Sequence, residues 1–134
     1  MGRALEAADA AALIATLADD VTLRVAVHDV PFEGRGAASH ILGAVLDGVL
    51  HHIEVVETID HPGDGDGDGG TAVLMFRARV ASRPGTADGL LVVRPDPSAR
   101  IADLTVFLRP LSALQALDEE MGRRLDGPRP DGAG

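Results

Sequence analysis

The sequence predicts an α+β domain, and three observations predict it. Apolar residues recur at helical spacing through much of the first fifty positions; from about 51 to 108 they alternate, with Gly, Pro and Asp at the breaks; one more amphipathic stripe follows Pro110. Helices followed by hairpin-joined strands suit a curved, mostly antiparallel sheet wrapped around the helices. At 134 residues the chain is long enough to remove roughly two-thirds of its unfolded surface from water without disulfide or metal staples. A single domain over 1–125 is expected, with a disordered tail over 126–134 that has nothing to bury.

Ala4 to Ala8 reads as a short helix, and Asp9 is placed to cap a second one whose apolar stripe is Leu13, Ile14 and Leu17, ending at Asp19 and Asp20. Residues 21–29, "VTLRVAVHD", alternate, so Val21, Leu23, Val25, Val27 and Asp29 share the inward face of a first strand. After Pro31 and Gly34, a third helix over 35–50 carries Ile41, Leu42, Val45, Leu46 and Val49 on one side. Strands follow over 51–60, 71–81, 86–94 and 101–108, with turns at Arg83-Pro84-Gly85 and at "PDPS", 95–98. Ile53, Val55, Glu57 and Ile59 share one face, as do Leu74, Phe76, Ala78 and Val80. Pro110 opens a last helix with Leu111, Leu114, Leu117, Met121 and Leu125 on one stripe.

Composition narrows the function. The net charge is −9, every basic residue is Arg, and three Phe are the whole aromatic content, so the basic stripe and stacking platforms of a nucleic-acid binder are missing. There is no Cys, hence no thiolate site. The first residues lack a signal peptide's apolar stretch, and no apolar run is long enough to span a bilayer; a cytoplasmic protein is expected.

Residues 63–70, "GDGDGDGG", match the first half of a calcium loop with Asp64, Asp66, Asp68 and Gly69, but position twelve is Met75 and the flanks read as strands. A solvated hairpin loop is the simpler reading. His28, His40, His51, His52 and His61 form no i,i+4 pair and no zinc motif, so no metal and no cofactor is expected; His51-His52 reads as a solvated pair beside a helix C-terminus. "GRGAAS" at 34–39 lacks the third glycine of a dinucleotide fingerprint. Two acids, Asp29 and Glu57, have inward strand parity, which makes them the candidate catalytic pair if burial raises their pKa values. His28 reaches Asp29 only if a bulge re-aims it. The opposite sheet face mixes Val73, Met75, Leu90, Val92 and Phe107 with Arg77, Arg79, Arg94, Asp103 and Thr105, a pattern that fits a self-complementary homodimer surface.

The stretches "DAAALIATLADDVTLRV", "PFEGRGAASHILGAVL" and "RIADLTVFLRPLSAL", from about Asp9 to Arg109, resemble the nuclear-transport-factor-2-like superfamily, which includes ketosteroid isomerases, limonene-epoxide hydrolases and SnoaL-like cyclases. The closing "RPLSALQAL" looks like an actinobacterial subset. The resemblance implies a conical, cystatin-like α+β barrel with a pocket between helices and concave sheet, commonly a homodimer, and no single reaction. It would place the isomerases' general base at Val25, their protonated acid at Leu91 and a helix-borne Tyr at Leu42, all apolar here. The Asp-Arg-Asp set of the hydrolases finds only Arg77, Arg79 and Asp103, on the outer face. The pocket is expected to be lined by Val25, Val27, Leu42, Phe76, Leu91, Val93, Leu104, Val106 and Leu108. Such a lining fits a small hydrophobic ligand, either transformed by an isomerase, cyclase or hydrolase or held by a non-catalytic binding or dimerisation module.

Overall fold

A computed structural model of the protein describes residues 2–63 and 70–126. The calcium-like aspartates and the tail beyond position 126 lie outside the described residues. Two short helices, α1 (Gly2–Glu6) and α2 (Ala10–Ile14), precede strand β1 (Leu17–Arg24). A two-residue strand β2 (Phe32–Glu33), helix α3 (Arg35–Ala44) and a π-helical turn (Val45–Val49) follow. Then come β3 (Leu50–His61), β4 (Thr71–Val80), β5 (Ala87–Pro95), β6 (Ile101–Arg109) and helix α4 (Leu111–Asp126). The strands make one curved sheet in the order β2-β1-β6-β5-β4-β3, antiparallel throughout except for the parallel pair β1/β6. The sheet curls around the helices without closing. None of the described helices is long and apolar enough to cross a membrane.

Tertiary contacts override local preference at the start of the chain. Asp9 caps α2 as expected, accepting from the Ala12 N–H at 3.0 Å, but the helix stops at Ile14. Thr16 turns its hydroxyl back onto the Leu13 carbonyl at 2.6 Å, and Leu17 enters the sheet opposite Ile101. The Arg100 guanidinium fixes this entry by donating to the carbonyls of Ala15 and Leu17 at 3.2 and 3.3 Å. Sheet pairing thus wins over the helix propensity of the alanines. At its far end β1 stops at Arg24, because the chain must turn to bring Phe32 opposite Leu23. Val25, Val27 and Asp29 therefore lie in the connection and not on the strand.

The π-turn after α3 breaks where Asp47 (φ −91°, ψ 56°) and Gly48 (φ 88°) leave helical geometry; glycine supplies the left-handed conformation at little cost. The expected alternation holds in β4, in β5 and in β6 from Leu104 onward, after a register shift where Pro95 meets Ile101. Leu74, Phe76, Ala78 and Val80 are buried on the concave face beside Ala87, Leu91, Val93 and Leu104. Gly89 faces Phe76 across the β4/β5 ladder, and the ring lies over it so closely that a Cβ would overlap the aromatic carbons. The helices close the concave face with Leu5, Leu13, Ile41, Leu42 and Leu46, each adding about 2 kcal/mol of burial.

β3 departs from simple alternation. Its register with β4 shifts between His51 and Glu54 and again between Val55 and Glu57. Each bulge inserts an unpaired residue and reverses which face the following side chains meet. After the second, Glu57 and Ile59 lie opposite Met75 and Val73 on the convex side.

Ala113, Leu117 and Met121 form the buried stripe of α4, while Leu111 stays 68% exposed. The stripe thus starts from Ala113 and not, as expected, from Leu111. At its far end Arg124 bonds Glu120 at 3.0 Å and reaches Asp47 in the π-turn at 3.2 Å. Hydrogen bonds from Arg123 and Arg124 hold the Glu120 carboxyl below its ordinary range. That contribution to stability is present above the unfolded glutamate pKa and is lost as pH falls through the folded one.

Because α4 buries Ala113, Leu117 and Met121 in the core, truncation after Arg109 is expected to lower the thermal midpoint and promote aggregation, read by thermal denaturation and size exclusion; an unchanged midpoint would contradict this role. Gly89→Ala is expected to cost about 1–3 kcal/mol in urea unfolding through overpacking against Phe76. In a Phe76→Leu background the same change should cost clearly less.

Candidate functional site

Between the helices and the concave face lies a cavity of about 50 Å³. Leu23, Val25 and Ala26 reach it from β1 and the connection after it, and Phe76, Leu91, Leu104 and Val106 from β4, β5 and β6. Leu5, Leu13, Ile41, Leu42, Val45, Leu46, Leu50 and Leu117 complete the wall. Every lining side chain is a hydrocarbon. A water there would find no polar side chain to bond, so a dry cavity follows. No polar or charged residue is buried anywhere among the described residues.

Six of the nine expected lining residues are present: Val25, Leu42, Phe76, Leu91, Leu104 and Val106. Val27 packs against the core from the connection after β1, outside the cavity wall. Val93 lies toward the hairpin end of the concave face, in a separate groove with Thr16, Asp60, His61 and Ile101. Leu108 packs against the core outside the cavity wall and also borders the groove on the other side of the sheet. The helical contributors Leu5, Leu13, Ile41, Val45, Leu46 and Leu117 were missing from the expected lining, although their amphipathic spacing marks them as core. Alternation names which strand residues face in, but not which stretch of the concave face the helices leave uncovered.

The two candidate acids do not reach the cavity. Asp29 is exposed in the connection between β1 and β2, because the strand meant to carry it ends five residues earlier. Glu57 is exposed on the convex side, because the bulge at Val56 reverses its parity. His28 is exposed as well and meets the Phe32 ring edge-on, with centroids 6.3 Å apart. Val25, Leu42 and Leu91, the positions the family resemblance would give to a base, a tyrosine and an acid, all line the cavity as hydrocarbons. Proton transfer at a bound substrate needs an ionisable group within hydrogen-bond reach, and this wall offers none.

The convex face carries an open groove of about 420 Å³, floored by Val56, Met75, Leu90 and Phe107. Val56, Ile59 and Phe107 are each about half exposed, at 53%, 49% and 52%. Asp88 sits between two cations at the rim, 3.0 Å from Arg109 and 3.5 Å from Arg77. Farther along, Arg24 pairs with Asp103, whose carboxylate raises the guanidinium pKa above its ordinary value. The described residues contain no cluster of three or more His, Cys, Asp or Glu side chains arranged to hold a metal.

Among the solved structures that share this fold are the following three. A steroid delta-isomerase from Pseudomonas aeruginosa is 35% identical, with a TM-score of 0.77 over 92% of this chain and 84% of that one. A protein with a cystatin-like fold from Silicibacter pomeroyi DSS-3 is 23% identical, with a TM-score of 0.80 over 95% and 83%. The epoxide hydrolase/cyclase-like enzyme SalBIII, of pyran ring formation in polyether salinomycin, is 17% identical, with a TM-score of 0.61 over 81% and 84%. The last two speak for the fold alone. No family model and no curated protein sequence matches the chain.

Since both acids are solvated and outside the cavity, Asp29→Asn and Glu57→Gln should each shift unfolding free energy by no more than about 0.5 kcal/mol. A loss several times larger from either, measured by urea denaturation, would mean that its carboxylate is engaged in the folded chain.

Proposed function

The chain belongs to the nuclear-transport-factor-2-like superfamily, and from that premise we propose that it is a homodimeric module binding a small apolar molecule between helices and sheet. The observation that carries this reading is the all-hydrocarbon wall of the interior cavity. Ligand pockets usually span roughly 300–1,000 Å³, whereas this one is about 50 Å³. The ligand is therefore a few carbon atoms in size, or it inserts one apolar limb and displaces α1 or α4, which contribute Leu5 and Leu117 to the wall.

The convex face supports the dimer. Its half-exposed apolar floor, rimmed by Arg77, Asp88 and Arg109, has the apolar centre and charged margin of a protein interface. A catalytic reading, as an isomerase, cyclase or hydrolase of a hydrophobic metabolite, is favoured by one observation, the 35% identity to a steroid delta-isomerase. It requires an acid or base at the ligand, and Asp29 and Glu57 would have to be carried in by a rearrangement of the β1–β2 connection or of β3.

Methyl-detected NMR of the protein titrated with benzene tests the binding reading. The expected result is saturable shifts confined to Leu42, Leu91, Leu104 and their neighbours, strengthened by Leu42→Ala, which enlarges the space, and weakened by Leu42→Phe, which fills it. Shifts scattered over the surface, or insensitive to both changes, would overturn it. Native mass spectrometry of the same sample counts subunits, and a monomer at all concentrations would remove the dimer.

A further inference from the structure

Neither the cavity nor the convex groove accounts for the two imidazoles at the start of β3. Consecutive residues of a regular strand point to opposite faces, so His51 and His52 should diverge. Instead the register shift after His51, with His52 in the left-handed region at φ 52°, turns the two rings toward each other. Their Nδ1 atoms are 2.8 Å apart and the ring centroids 5.0 Å apart. A left-handed histidine is uncommon, and bulges of this kind re-aim side chains.

The hydrogen bonds assign the tautomers. His51 Nε2 lies 2.8 Å from the Ala81 carbonyl, which only accepts, so Nε2 carries the proton and the neutral ring presents a lone pair at Nδ1. The hydrogen between the two rings therefore belongs to Nδ1 of His52. Moving that hydrogen to Nε2 of the same ring, a tautomer change with no net loss of a proton, leaves two Nδ1 lone pairs side by side. The Ala81 carbonyl is itself held in place: Ala81 is left-handed at φ 48°, and its N–H donates to Val49 at 2.7 Å. An imidazole whose second nitrogen is tied to a backbone carbonyl has the support that orients metal ligands.

We propose that His51 and His52 form a bidentate surface site for a divalent transition metal of tetragonal preference, Cu(II) before Ni(II). Two imidazole nitrogens with water in the remaining positions favour Cu(II), which heads the general affinity order for such sites, above Ni(II) and Zn(II). The 2.8 Å separation is that of the N–H···N bond between the two rings, and metal binding replaces this bond. His52 is exposed and its ring swings to aim its lone pair, while His51 keeps its carbonyl contact. No third protein ligand of the His, Cys, Asp or Glu class joins the pair among the described residues, so water fills the remaining positions and the metal exchanges readily. Arg79, the register partner of His51, opposes the cation and keeps affinity modest.

The test is calorimetric titration of Cu(II) chloride into untagged full-length protein in a non-coordinating buffer, with electron paramagnetic resonance of the loaded sample. One Cu(II) per chain coupled to two imidazole nitrogens is expected, with affinity falling about ten-fold or more in His51→Gln and in His52→Gln. Zn(II) should bind about ten-fold or more weakly than Cu(II), and the triple variant His28→Gln, His40→Gln, His61→Gln should bind as the parent does. Binding unchanged in both single variants, lost in the triple variant, or coupled to only one imidazole nitrogen overturns the proposal. Should His51→Gln unfold, as circular dichroism would show, the exposed His52→Gln decides alone.

Discussion

The fold depends on one constraint, the alternation of β4, of β5 and of β6 from Leu104 onward. Two neighbouring ladders place Leu74, Leu91 and Val106 side by side, with Phe76 and Leu104 beside them, on a single concave surface. Every helix finds its position by covering that surface, and what they leave uncovered becomes the cavity. The surface is uninterrupted by any polar group, so packing is governed by shape and volume alone. Gly89 shows how tightly this is resolved, since the Phe76 ring occupies the space that any larger residue at that position would need.

β3 carries two bulges against β4, and they set the chemistry of both faces. One rotates a histidine into the left-handed region beside its neighbour; the other carries Glu57 and Ile59 to the convex side. An acid that simple alternation would bury is thereby returned to water, which avoids the cost of desolvating an unpaired carboxylate. The same slip leaves Ile59 half exposed opposite Val73 on the convex side, a second apolar residue on the face that carries the groove.

The sequence made the α+β class, the four long strands after position 50, the Asp9 cap and the amphipathic last helix readable, because each rests on periodicity or on local hydrogen bonding. What it hid has one common cause. Leu17 belongs to a strand because Ile101 and Arg100 wait for it more than eighty residues later, and no local window contains that information. β2 is two residues long and carries no period at all. Both bulges shift the partner register by one residue, a feature of the pair and not of either strand, so the inward parity read for Glu57 could not survive. Asp29 failed for the related reason that a strand's end is set by where its partner stops. The family resemblance, by contrast, survives because it reads the whole pattern at once.

The side-by-side run of β1 and β6 has a further consequence for how the protein comes into being. Strands β3 to β6 pair with their sequence neighbours through hairpins and can assemble as they leave the ribosome. The first strand has only the two-residue β2 as an early companion and must remain unmated until the final one is synthesised. During that interval its oily side chains Leu17, Val21 and Leu23 are open to other nascent chains, so a ribosome that slows or stalls before β6 is complete leaves a sticky strand exposed.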